Sequence, residues 1–82
     1  MTKIDLFVDL NSQDDTGLPW TYADQAADPT EVLPGRYLVV GAGNSVAVAE
    51  IVDRAEDGLV HVRPLAGTVK ENLHLRALRG AA

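Results

Sequence analysis

Cysteine is absent from this 82-residue chain. That excludes a disulfide staple, thiolate chemistry and cysteine-ligated zinc within it, and it fits a reducing compartment. Basic residues are few: seven Lys and Arg stand against twelve Asp and Glu, for a net charge of −5. Counterion release on a phosphate backbone needs clustered Lys and Arg. Here they are scattered, so nucleic acid is a poor partner. No run approaches the ~20 apolar residues that cross a bilayer. The first fifteen residues reach carboxylates too early for a secretory leader. The expectation is a cytoplasmic protein without membrane contact. Aromatics are also scarce, at one Trp, two Tyr and one Phe, so the placement of each carries weight.

A chain of this length is expected to form one domain, residues 1–82. A domain so small buries only about 60–65% of the surface its unfolded chain exposes. Two layers around one core are feasible; a deep cleft between lobes is not.

The informative stretch runs over residues 33–65, LPGRYLVVGAGNSVAVAEIVDRAEDGLVHVRPL. Three β-branched apolar runs lie there, at 36–40, 45–54 and 59–65, separated by GAGN and AEDG segments. Asp57-Gly58 is a strong hairpin signal. Pro34-Gly35 reads as the centre of a turn. In the third run Val60 and Val62 face the core, while His61 and Arg63 face out. Residues 3–10 alternate with period two: Ile4, Leu6, Val8 and Leu10 point inward, and Asp5, Phe7 and Asp9 point outward. Residues 45–57 also fit a helix, with Val48, Ile51, Val52 and Ala55 on one face. The strand is preferred because β-branched residues are stiff at χ1.

Residues 11–30 form a long irregular connection rich in turn-forming Asn, Ser, Asp, Gly and Pro, with one or two helical turns at 21–27, Thr21 as cap and Pro29 as stop. Connections of this length tend to carry function or mobility. In the tail, Thr68 and Glu71 have the spacing of a capping box. The Leu73–Leu75 alternation suggests a short closing strand after a single helical turn, with residues 79–82 frayed.

Motifs bearing chemistry are weak. Gly41 and Gly43 occupy the first two positions of a dinucleotide-binding GxGxxG, but Val46 stands at the third, where close helix–strand packing needs glycine. No ribose-binding carboxylate follows at about 20 residues. A glycine hairpin turn accounts for the segment. His61 and His74 are the only histidines, read as solvated or cross-strand-paired; a zinc site would need both plus carboxylates. Asp14 and Asp15 fail calcium-loop spacing and read as a solvated acidic loop able to steer a partner. No catalytic, cofactor-binding or metal-binding residue is assigned. Trp20 and Tyr22 flank Thr21 in the irregular segment. Aromatic residues with polar tips favour interfaces; the alternative is that Trp20 plugs an open end of the core.

The run AEIVDRAEDGLVHVRPLAGTVKENLHLRAL resembles the second half of a Tudor-type or Src-homology-3-like barrel. The features are Ala49 to Val52, Asp57-Gly58, Val60 and Val62, Gly67, and Leu75-Arg76-Ala77-Leu78. The resemblance implies a barrel. It does not imply that family's ligands, since Pro64, Leu65 and Ala66 stand where an aromatic and acidic cluster is expected. The chain as a whole resembles short actinobacterial proteins of no assigned activity.

Together these readings predict a mainly-β domain: a small five-stranded Src-homology-3-like barrel with a long irregular first loop and at most one or two short helical turns. The functional expectation is not an enzyme but a small acidic protein–protein interaction module or accessory subunit, monomeric or homodimeric. Its candidate surface is Asp14, Asp15, Trp20, Tyr22 and Tyr37. Alternatives are a nucleic-acid-associated barrel, with His61, Arg63, His74 and Arg76 as a basic stripe; a phage-type inhibitor; and a hydrolase subunit in which Asp9, His61 or His74 converge.

Overall fold

The computed structural model describes residues 3–78. Five strands form one nearly closed mixed sheet: β1 (Leu6–Phe7), β2 (Trp20–Tyr22), β3 (Tyr37–Ala42), β4 (Ser45–Arg54) and β5 (Leu59–Pro64), in the order β1-β3-β4-β5-β2. β1 pairs with β3 in parallel, and the remaining pairings are antiparallel. One helix, α1 (Val69–Leu78), and two short 3-10 turns (Ala23–Gln25 and Pro29–Glu31) complete the described chain.

The β3–β4–β5 meander follows the turn chemistry of the sequence. Gly43-Asn44 closes β3 onto β4, with Ala42 opposite Ser45. Gly35, at φ 87°, takes the left-handed turn position after Pro34, and the Arg36 N–H donates to the Leu33 carbonyl at 3.1 Å. At the second hairpin the Gly58 N–H donates to the Ala55 carbonyl and the Leu59 N–H to the Asp57 carboxylate. Residues 45–54 are therefore strand and not helix. The ladder slips at Val52, between Ile51 and Asp53, and such a bulge re-aims the side chains beyond it.

Leu6, Leu38, Val40, Ile51, Val60 and Val62 fill the barrel. Val39 and Val48 lie opposite one another in register and alternate with those core residues, so they occupy the other face of the sheet. They too are buried, because α1 packs across β3 and β4 on that side.

Here the structure departs from the expected closing strand. The capping box forms as the spacing implies: the Thr68 N–H donates to Glu71 Oε1 at 2.8 Å, and the Glu71 N–H donates to Thr68 Oγ1 at 3.1 Å. The helix then runs through Leu73 and Leu75, where Lys, Glu, Leu, Arg and Ala all favour it. The fifth strand comes instead from Trp20–Tyr22, inside the segment read as irregular. Thr21 is consequently no helix cap; its hydroxyl donates to the Phe7 carbonyl at 2.9 Å. Pro29 opens a 3-10 turn, capped by Asp28, and does not stop a helix. The reading of residues 79–82 falls outside the described residues.

Asp5 is the second departure. It lies on the outward face of β1 but is only 7% exposed. Arg76 of α1 reaches it with both prongs, Nε to Oδ2 at 2.7 Å and Nη2 to Oδ1 at 2.9 Å. The Val39 N–H also donates to Oδ2 at 2.9 Å. Burial alone would raise the Asp5 carboxyl, but these donors outweigh it and hold it below the usual carboxylate range. Removing one partner of a buried pair leaves the other charge uncompensated. Arg76→Ala is expected to cost ~2 kcal/mol, discounted because the arginine is partly exposed, and to make the α1 amides exchange first. Urea melts and hydrogen exchange measure both.

Gly41 supplies a further prediction. Its φ is 142°, and a Cβ there would lie 2.0 Å from the Ser45 carbonyl oxygen. Gly43 has φ 57° and open space around it. Gly41→Ala should lose more than ~3 kcal/mol or fail to fold, and Gly43→Ala about 1 kcal/mol; denaturant midpoints of the two variants separate them.

Candidate functional site

β2 ends the sheet opposite β1, and the groove between them is where the barrel does not fully close. Register decides how β2 presents itself. Thr21 sits opposite Val60 in a hydrogen-bonded pair, because the flanking bonds run from Val62 N–H to the Pro19 carbonyl and from Ala23 N–H to the Gly58 carbonyl. The Thr21 side chain therefore points inward. Alternation puts Trp20 and Tyr22 outward and turns their backbone groups away from β5. The two rings meet edge to face, with centroids 6.0 Å apart and planes at 89°. They are 38% and 44% exposed, and Phe7, across the seam on β1, is 50% exposed. The three rings line an open groove of about 410 Å³ together with Asp9, Ser12 and Gln25. On its far side Tyr22 also borders a second hollow that holds Asp24, Glu56 and Asp57.

The adjoining loop is pinned by charge. His61 is the cross-strand neighbour of Trp20. Its Nδ1 meets Asp53 Oδ1 at 2.8 Å, and its Nε2 meets Asp14 Oδ2. Asp53 is presented by the β4 bulge, and Asp14 comes from the long connection. Asp14 also organises its own turn, accepting from the Thr16 N–H and hydroxyl. The Thr16 bonds and then His61 hold the Asp14 carboxyl down at about 2. Asp53 first and Asp14 second hold His61 above its ordinary value. Both ring nitrogens face carboxylates, so the bridge is an imidazolium clasp between loop and sheet.

Of the residues singled out by sequence, Trp20, Tyr22 and Asp14 are brought into one neighbourhood, linked through His61. Asp15 is exposed beside Asp14. Tyr37 stands at the start of β3 opposite Glu50, at the other end of that strand from Ala42, which lines the groove. Phe7, Ser12 and Gln25 are groove residues that sequence reasoning did not assign, and Asp9 was read only as a member of the hydrolase alternative. The one signal was Phe7 breaking an otherwise acidic outer face. His61 is cross-strand-paired, one of the two alternatives read for it, and is not solvated as well. Asp9, His61 and His74 do not converge: Asp9 lines the groove, His61 is clasped, and His74 is exposed on α1. The basic stripe is not free either, since Arg63 pairs with Glu50, Arg76 with Asp5 and His61 with two carboxylates. Among the described residues no group of three His, Asp or Glu side chains is placed to hold a metal, and no helix is long and apolar enough to cross a membrane.

The clasp has a definite pH signature. The folded value of His61 lies above the unfolded 6.5, so its contribution is complete below 6.5 and is lost as pH rises through the folded value. The folded value of Asp14 lies below the unfolded 3.8, so its contribution is complete above 3.8 and fades as pH falls toward 2. The stability difference between the native chain and His61→Gln is expected to be widest between 3.8 and 6.5 and to shrink as pH rises from 6.5 through the folded value. Urea midpoints of both proteins across pH measure it, and a difference that is flat with pH refutes the clasp.

Comparison of the chain with protein-family models, with curated proteins and with solved structures finds no match, so function is argued from the site itself.

Proposed function

We propose that the chain is a small acidic protein–protein interaction module or accessory subunit of the cytoplasm, docking its partner on the Phe7–Trp20–Tyr22 groove. One observation carries this reading: the two aromatic residues of β2 lie outward, in edge-to-face contact, on the terminal strand of the sheet. Exposed Trp and Tyr held by a scaffold lose little side-chain freedom on binding, and such residues dominate interface energetics.

A non-catalytic role is supported by the state of His61. Carboxylates engage both of its nitrogens, and the Thr16 hydroxyl is itself bonded to Asp14, so neither forms the nucleophile–base contact that covalent catalysis needs. The ion-paired arginines likewise weigh against a nucleic-acid surface. Within this reading the barrel is of the Src-homology-3-like kind. The five-stranded, nearly closed sheet is compatible with that, although the parallel β1–β3 pairing and the C-terminal helix on the outer face are features of this chain.

Capture of partners from a lysate of the source cell tests the reading. Trp20→Ala and Tyr22→Ala should each stay folded, losing less than about 2 kcal/mol since both rings are half-exposed. Each should release the partner by roughly tenfold or more, as for a central aromatic anchor. If both variants fold and retain every partner, the surface is misassigned.

A further inference from the structure

We infer that the groove between β1 and β2 receives an arginine side chain of the partner protein. The inference rests on the interaction reading above and adds the chemistry of the guest.

The lining carries the argument. Phe7, Trp20 and Tyr22 offer ring faces or edges, and the perpendicular setting of Trp20 and Tyr22 makes two walls of a corner. The carboxylate is Asp9, whose oxygens each accept one local bond, Oδ1 from the Asn11 N–H and Oδ2 from the Ser12 hydroxyl. A carboxylate oxygen has two lone-pair sites, so both retain acceptor capacity. Among the described residues no Lys, Arg or His lines it. The loop alongside adds Asp15, Asp14 being engaged by His61 and Thr16, and the net charge of the chain is −5. A hollow walled by aromatic faces and edged by acceptors complements a flat cation on an apolar stem. Guanidinium stacks on aromatic faces and forks onto a carboxylate, and it sheds water more readily than an ammonium. An acidic guest would set like charge against Asp9, and an uncharged polar guest would offer it only a neutral donor, a weaker bond than a charge-assisted one.

Three amidated, acetylated peptides of equal length test this, with a central arginine, lysine or citrulline among glycine and serine. Each is titrated into the isotope-labelled full chain and followed by amide and Trp20 indole shifts. The arginine peptide is expected to bind tightest, with shifts confined to residues 7–12 and 20–25. Citrulline, the neutral isostere, should bind roughly two- to fivefold more weakly, and salt should narrow that gap. Asp9→Asn keeps an acceptor for the local turn, so it should fold normally and lose roughly two- to fivefold toward arginine alone. A citrulline peptide that binds as tightly, a lysine peptide that binds more tightly, or shifts outside the groove overturn the inference. If Trp20→Ala and Tyr22→Ala release the partner while the arginine peptide fails, the guest is wrong and the docking surface stands. If those variants keep every partner, the surface itself falls.

Discussion

The carboxylate of Asp5 is the joint on which the architecture depends. Its backbone N–H donates to the Val39 carbonyl, its own carbonyl accepts from Ala27, and its side chain takes the Val39 N–H and the Arg76 fork. Four parts of the chain meet there: the entry to β1, the centre of β3, the segment after the first 3-10 turn, and the last turn of α1. β1 contributes only two ladder residues, too few to hold a parallel edge by themselves. The Asp5 side chain extends that ladder by one acceptor and binds the helix that covers Val39 and Val48. A buried charge with two strong partners contributes little net energy compared with an apolar substitute, but it fixes where the helix lies. Apolar contact with two valines alone would leave α1 free to slide.

The same joint explains where the sequence was legible and where it was not. Period-two alternation correctly set Leu6 and Val8 inward and Phe7 outward. By the same rule Asp5 became a solvated residue, and that was wrong because α1 covers the outer face at that point. The helix was missed for a local reason: Leu73 and Leu75 are two apolar residues spaced by two, too short a sample to define a period. Once the tail is helical, Arg76 faces the sheet and Asp5 acquires its partner, so both errors share one origin. β2 was missed because three residues inside a Gly-, Pro- and Asp-rich stretch give no periodic signal, although Trp, Thr and Tyr all favour strands. The meander over 37–64 was legible because its turns carry their own chemistry in Pro34-Gly35, Gly43-Asn44 and Asp57-Gly58. Gly41, a tempting phosphate-loop glycine, is demanded by sterics alone.

Without cysteine, the long connection needs other anchors. The Asp5–Arg76 pair spans 71 residues of sequence, the Asp14–His61 contact spans 47, and Arg54 reaches 25 residues back to the Pro29 carbonyl. The first ties the entry of β1 to α1 through a buried carboxylate, and the other two join irregular segments to the meander through side chains at its perimeter. The core is small and almost wholly Val, Leu, Ile and Ala, with no capacity for buried polar cross-links. Exposed pairs contribute at most about 1 kcal/mol, which is modest against global stability but sufficient to select one placement of a loop over its alternatives.

The same selection of one placement acts at the groove. Trp20 lies between two constraints: Thr21 anchors β2 inward to the Phe7 carbonyl, and His61, across the ladder, holds the Asp14 turn against the same face. The orientation of the aromatic corner is thus set by one hydroxyl and one imidazolium. A groove preorganised in this way holds its exposed rings in place, so the association proposed above would not have to order them at the moment of contact. The cost falls on the free protein, which must leave three of its four aromatic residues in water. A chain so short of large apolar side chains would gain stability by folding Trp20 into its core. The outward position of that ring is therefore the strongest physical argument that the surface exists for something other than folding.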